Sequence, residues 1–105
     1  MFATIRRYTP KKNVTGQTLS DFKRRIEEKF VPSLQDVRGF HAYYVVTAGK
    51  EMLSISICED KTGTTESTRR AADFVKGDPL KDDLGSPEVI EGEVLVTKEA
   101  MVSAR

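Results

Sequence analysis

Two β-rich runs, Gly39–Thr47 and Glu51–Glu59, stand three residues apart in the middle of the chain, with a helical pattern and one further strand on either side of them. Gly49 in the Ala48-Gly49-Lys50 link supplies the backbone angle that a tight hairpin needs, so the two runs should pair antiparallel. Ahead of the hairpin, Phe2–Tyr8 is rich in β-branched and aromatic residues and ends at the turn signal Thr9-Pro10-Lys11-Lys12-Asn13. Leu19, Phe22, Ile26, Phe30 and Leu34 then recur at steps of three and four, which predicts one apolar helix stripe, with Thr18 as its cap and Pro32 opening a break or a fresh final turn. Behind the hairpin, Thr62–Lys76 predicts a second helix, with Ser67, Ala71, Phe74 and Val75 along one side and Gly77 just past its end. Pro79–Leu84 predicts one more turn, and Val89–Val96 a final strand after Gly85-Ser86-Pro87.

The order is therefore β-α-β-β-α-β in 105 residues. That is the order of the ferredoxin-like α+β sandwich, in which a four-stranded antiparallel sheet carries both helices on one face. Residues 1–105 are read as a single domain, with no internal repeat and no low-complexity stretch. A chain of this size buries roughly two thirds of its unfolded surface, so a second copy would help to stabilise it. No apolar run approaches the ~20 residues that span a bilayer, and residues 1–7 lack a signal-peptide core, so no membrane partner and a cytoplasmic location are expected. Cys58 is the single cysteine and His41 the single histidine, which leaves no internal disulfide and no structural zinc set. A formal net charge of +1 removes the strongest argument for nucleic acid.

Alternate strand residues point to opposite faces of a sheet, which divides the strands into two sets. One is almost wholly apolar: Ala3 and Ile5; Phe40, Ala42, Tyr44 and Val46; Leu53, Ile55 and Ile57; Ile90, Val94 and Val96. This set is expected under the helices. The other mixes Thr4, Arg6 and Tyr8 with His41, Tyr43 and Val45, then Met52, Ser54, Ser56 and Cys58, then Val89, Glu91, Glu93 and Leu95. It is neither a core face nor an ordinary surface, and a second sheet with a partly polar cavity between would suit it.

Phe30-Val-Pro-Ser-Leu34, Gly39-Phe-His-Ala-Tyr-Tyr44, Ser54-Ile-Ser-Ile-Cys-Glu-Asp60, Gly63 with Glu66-Ser67, Ala71-Ala-Asp-Phe-Val75 and Gly92-Glu-Val94 together give the chain a family likeness over nearly its whole length. It resembles the dimeric α+β barrel superfamily, in particular small proteins related to antibiotic biosynthesis monooxygenase domains. The resemblance implies a homodimer whose two sheets pack face to face, with a pocket between each sheet and its helices or inside the barrel. It also implies a small hydrophobic or aromatic ligand and no cofactor, since family members include oxygenases of aromatic polyketides that use neither metal nor flavin. Haem-degrading members resemble one another through a strand Asn, a helical His and a Trp. This chain has no Trp, its His41 lies on a predicted strand and its one Asn, Asn13, lies in a turn, so haem degradation is not expected.

Within this frame His41 is a candidate general base beside Tyr43, because its unperturbed pKa is near neutrality. Tyr43 and Tyr8 are candidate donors to a carbonyl or enolate oxygen. Arg6 could hold a carboxylate or phenolate, although pairing with Glu91 and Glu93 across the strands is its more ordinary role. Ser54, Ser56 and Cys58 form a row of small side chains that could floor a pocket or let bulky partner residues approach, and Glu93 is a further candidate ligand-binding residue. No metal is expected from Glu91 and Glu93 without a second His. Two functions fit these residues. One is a cofactor-independent, monooxygenase-like enzyme acting on a small hydrophobic or aromatic ligand. The other is a non-catalytic homodimeric binding or structural module.

Overall fold

The computed structural model describes residues 1–99. Strands β1 (Phe2–Tyr8), β2 (Phe40–Ala48), β3 (Glu51–Cys58) and β4 (Glu88–Glu93) form one antiparallel sheet in the order β2-β3-β1-β4, so β2 and β4 are its edges. Helices α1 (Gly16–Arg25) and α2 (Lys61–Lys76) cover one face, and a single turn, α3 (Lys81–Leu84), leads into β4. The ferredoxin-like α+β arrangement expected from the element order is the one observed. The final strand stops at Glu93 rather than Val96, and Val94 beyond it is tied by its N–H to the Met1 carbonyl at 2.8 Å.

The first helix begins at Gly16, with Thr15 rather than Thr18 in the cap position. It does not end cleanly: α1 widens into a π-helical turn over Ile26–Phe30 and then tightens into a 3-10 turn over Val31–Leu34. The spacing explains this. Phe22, Ile26, Phe30 and Leu34 lie four apart, and a regular α-helix would carry such a row about 40° further round its axis at every step. The wider π turn takes out that drift, so all four stay on the core side, each at most 8% exposed. Pro32 then sits in the first turn of the 3-10 segment, where a missing N–H costs least. For α2, the Asp60 carboxylate accepts from the N–H groups of Thr62 and Gly63 and so caps the helix.

The facing of the sheet is the reverse of the sequence expectation. Thr4, Arg6 and Tyr8 of β1 lie opposite Ser56, Ser54 and Met52 of β3, and all six are buried beneath the helices together with Cys58. Ala3, Ile5, Tyr44, Val46, Leu53, Ile55, Ile57 and Ile90 stand on the far face, where Tyr44 is 55% and Ile90 53% exposed. The helices account for the inversion. They bring Phe22, Phe30 and Leu34 to the interface, and the partly buried Phe74 packs alongside, each buried aromatic contributing about 1.5–3 kcal/mol. The sheet is left to supply small side chains that make room for those rings. Phe40 also belongs to this core rather than with Ala42, because a bulge between Phe40 and Ala42 switches the parity of β2 at His41.

Candidate functional site between the sheet and the helices

Arg6 is fully buried, and all five of its N–H groups are used on hydroxyls. Nε and Nη2 donate to Ser54 Oγ at 3.3 and 3.0 Å, Nη2 also to Ser56 Oγ at 2.8 Å, and Nη1 to Thr68 Oγ1 at 3.0 Å and Ser67 Oγ at 3.4 Å. The pairing with Glu91 and Glu93 does not form: Arg6 stands opposite Val89 on β4, Glu91 opposite Thr4, and Glu93 at the strand end opposite Phe2. A guanidinium is thus enclosed with no carboxylate among the described residues to balance it. Burial pulls its pKa below the ordinary value, opposed by the nearby Tyr43, Tyr8 and Cys58. One buried neighbour on the same strand, Thr4 Oγ1, makes no hydrogen bond at all.

Tyr43 Oη lies 2.9 Å from Ser54 Oγ. Arg6 donates twice to Ser54 Oγ, which favours the serine hydroxyl as the donor to Tyr43, an orientation that leaves the Tyr43 O–H to donate elsewhere. Burial raises the Tyr43 pKa, with the Ser54 bond and the Arg6 charge opposing. Burial likewise raises that of Tyr8, with Arg6 opposing. Both phenols therefore remain protonated near neutrality. Burial also pushes the Cys58 thiol up, and its cross-strand neighbour on β2 is Phe40 rather than His41, so no base stands ready to activate it.

A cavity of about 30 Å³ lies between the phenols and the helices, walled by Tyr8, Phe22, Phe30, Tyr43 and Phe74. It has room for about one water-sized guest. Phe30 meets Tyr43 edge to face at 5.0 Å and holds the phenol in place. A wider groove of about 390 Å³ shares Phe22, Ile26, Tyr43, Val45 and Met52 with this cavity and opens at the β2 edge past Lys23 and Glu27.

The structure thus brings Arg6, Tyr8, Tyr43, Ser54, Ser56 and Cys58 together and leaves His41 and Glu93 apart. His41 is the extra residue of the β2 bulge, and its Nε2 lies 2.7 Å from Glu59 Oε2, with both side chains exposed. Sequence reasoning missed Thr68, and it placed Ser67 along one side of the helix without assigning it to the site; both reach Arg6 from α2. Their spacing from Thr64 and Ala71, along one helix face, was the available signal. Among the described residues no group of three or more His, Cys, Asp or Glu is placed to hold a metal ion.

No protein-family model matches the sequence, and no curated protein matches it either. Solved structures do. A protein of unknown function from Nitrosomonas europaea aligns with a TM-score of 0.68 at 19% identity, over 96% of this chain and 95% of its own. A monooxygenase from the gene ActVA-Orf6 of Streptomyces coelicolor, solved with nanaomycin D, aligns at 0.63 and 11% identity, covering 98% and 92%. This is the fold of the antibiotic biosynthesis monooxygenase-like proteins. The haem-degrader MhuD of Mycobacterium tuberculosis, solved with two haems in its active site, has the same fold, at 0.65 and 11% identity over 94% of this chain and all of its own. In the present version of the fold the residues do not suit a haem. The only imidazole, His41, lies outside the cavity and is paired with Glu59.

Proposed function

We propose that the protein is a homodimer that binds a small hydrophobic or aromatic molecule in the Tyr43 groove, with an acceptor oxygen of the ligand on the Tyr43 hydroxyl. The observation that carries this reading is the ordered chain from Arg6 through Ser54 to Tyr43. A buried cation polarises a phenol whose own proton has no partner, and such a donor favours a carbonyl, phenolate or enolate oxygen in front of it. The same arrangement suits monooxygenase-like chemistry without metal or flavin, because it stabilises the electron-rich phenolate that reacts with oxygen. The absence of a base beside Tyr43 favours the second reading, a binding module without catalysis.

The homodimer is supported by the far face of the sheet. Tyr44, Ile55, Ile5 and Ile90 lie side by side across all four strands, flanked by Val46, Leu53, Ala3 and Ile57. A continuous apolar face of this kind calls for a cover, and a second sheet packed ~10 Å away provides it. Titration with naphthols and hydroquinones, read by thermal shift and oxygen uptake, tests the ligand site. Stabilisation that is lost in Tyr43→Phe supports it, and no response, or an equal response in the variant, overturns it. Oxygen uptake with bound hydroquinone separates the enzyme from the module.

A further inference from the structure

A second depression, about 450 Å³, lies between α2 and the β4 edge and is not lined by Tyr43. Arg6, Tyr8 and Thr68 form its floor, Ala72, Val75 and Val89 its apolar walls. We propose that this groove is a binding site for a small organic monocarboxylate, with the carboxylate above Arg6 and the apolar body against Val75 and Val89. The proposal goes beyond the ligand reading of the Tyr43 side and does not depend on it.

Three observations converge. The first is charge. Lys76 and Lys81 stand exposed at the rim, neither in an ion pair among the described residues, and with Arg6 they outweigh the one acid of the lining, Asp82. The second is the absence of a counter-charge for Arg6. Its guanidinium is covered by hydroxyls, so it acts on the groove through the Thr68 hydroxyl that it donates to, across a few ångströms of low-dielectric interior where a charge is felt strongly. Enclosing a cation without an anion is costly unless something supplies the missing charge. The third is shape. The volume is that of a small-molecule site, and one wall is set in place by the Gly85-Ser86-Pro87 connection. Gly85 sits at φ 63°, ψ −157°, a conformation essentially restricted to glycine, and Pro87 fixes its own φ. Lys11 N–H donates to the Asp83 carbonyl at 2.9 Å and ties α3 to the segment after β1.

The experiment compares 2-naphthoate with 2-naphthamide, which has the same ring and no charge, by fluorescence titration of the full-length protein. Three proteins are titrated: wild type, Lys76→Gln/Lys81→Gln, and Val89→Glu. Val89 lies opposite Arg6 on the exposed edge strand, so the introduced glutamate places a carboxylate in the groove without disturbing the core. The expected result is at least about tenfold tighter binding of naphthoate than naphthamide, weakening about fivefold in the lysine variant and at higher salt. Val89→Glu should abolish naphthoate binding and raise the melting temperature, whereas Val89→Gln should not raise it. Equal binding of acid and amide overturns the proposal, as does no binding of either. Unchanged naphthoate binding in Val89→Glu also overturns it. Naphthol binding that depends on Tyr43 reports separately on the other site.

Discussion

Arg6 on β1 and Ser54 on β3 face each other across the central strand pair, and Ser54 Oγ takes two of the five guanidinium N–H groups, at 3.3 and 3.0 Å. This contact orders everything around it. Because Ser54 accepts twice from Arg6, the charge at the buried end favours a chain in which the serine proton points to Tyr43.

Stability should not depend on that charge. Burying an ion costs more than hydroxyl partners return, so an apolar side chain of similar length is a good substitute. Arg6→Met is expected to be at least as stable as wild type to within about 1 kcal/mol, whereas Arg6→Ala should lose about 3 kcal/mol through the cavity it leaves. Urea denaturation of both variants checks this. An Arg6→Met protein several kcal/mol weaker than wild type would show that the hydroxyl network stabilises the fold.

The two phenols give the protein an alkaline limit. Tyr8 and Tyr43 both have pKa values above the ordinary 10.0, chiefly through burial. The unfolded chain therefore releases these protons first as pH rises. Their contribution is fully present below about pH 10 and is lost as pH climbs from there through the folded values. Chemical denaturation from pH 8 upward should show stability falling above pH 10 in the wild type and a flatter profile in Tyr8→Phe/Tyr43→Phe. Parallel profiles would refute the assignment.

The far face of the sheet makes a prediction about assembly. Ile55 on β3 stands between Tyr44 and Ile5 in the row that crosses the sheet. An aspartate there would place an unpaired charge at the centre of the packed sheets, at a cost of several kcal/mol to association. Light scattering should find the wild type at twice the chain mass and Ile55→Asp at the chain mass, with the same far-ultraviolet circular dichroism. A monomeric wild type, or a dimeric variant, would remove the interface.

Much of the fold could be read from local pattern, because each element carries its own periodicity and punctuation: the stripe from Leu19 to Leu34, Gly49 in the hairpin, Gly77 after α2. The face of the sheet could not. Parity divides Ile5 from Arg6, but nothing local says which set meets the helices, since Phe22, Phe30 and Phe74 already supply the apolar volume there. The apolar set faces outward, where a single chain has nothing to bury it. His41 was misplaced for a related reason. Alternation assumes an unbroken ladder, and the bulge between Phe40 and Ala42 interrupts it at that residue. The cluster of Arg6, Tyr8, Tyr43, Ser54, Ser56 and Cys58 survived the inversion because its members share one parity and moved together from one face to the other.

Gly63 tests how closely α2 approaches the sheet. It is buried in the first turn of the helix, and a Cβ built there would lie 2.7 Å from Cys58 Cβ, 2.8 Å from the Arg38 carbonyl oxygen and 3.0 Å from Cys58 Sγ. None of these is the free end of a flexible side chain. Cys58 is fully buried at the end of β3, and Arg38 belongs to the backbone leading into β2, so α2 itself must move outward. Alanine ordinarily favours a helix over glycine by about 1 kcal/mol, and here the overpacking should exceed that gain. Gly63→Ala is expected to lose about 1–3 kcal/mol in urea denaturation, and Cys58→Ala in the same protein to restore part of the loss by removing the sulfur. Since Ser67 and Thr68 lie one turn further along α2 and hold Arg6, the outward shift should also loosen the guanidinium. Gly63→Ala should therefore weaken ligand binding together with stability, while Gly77→Ala, whose Cβ meets nothing closer than 3.9 Å, should change neither by more than about 1 kcal/mol.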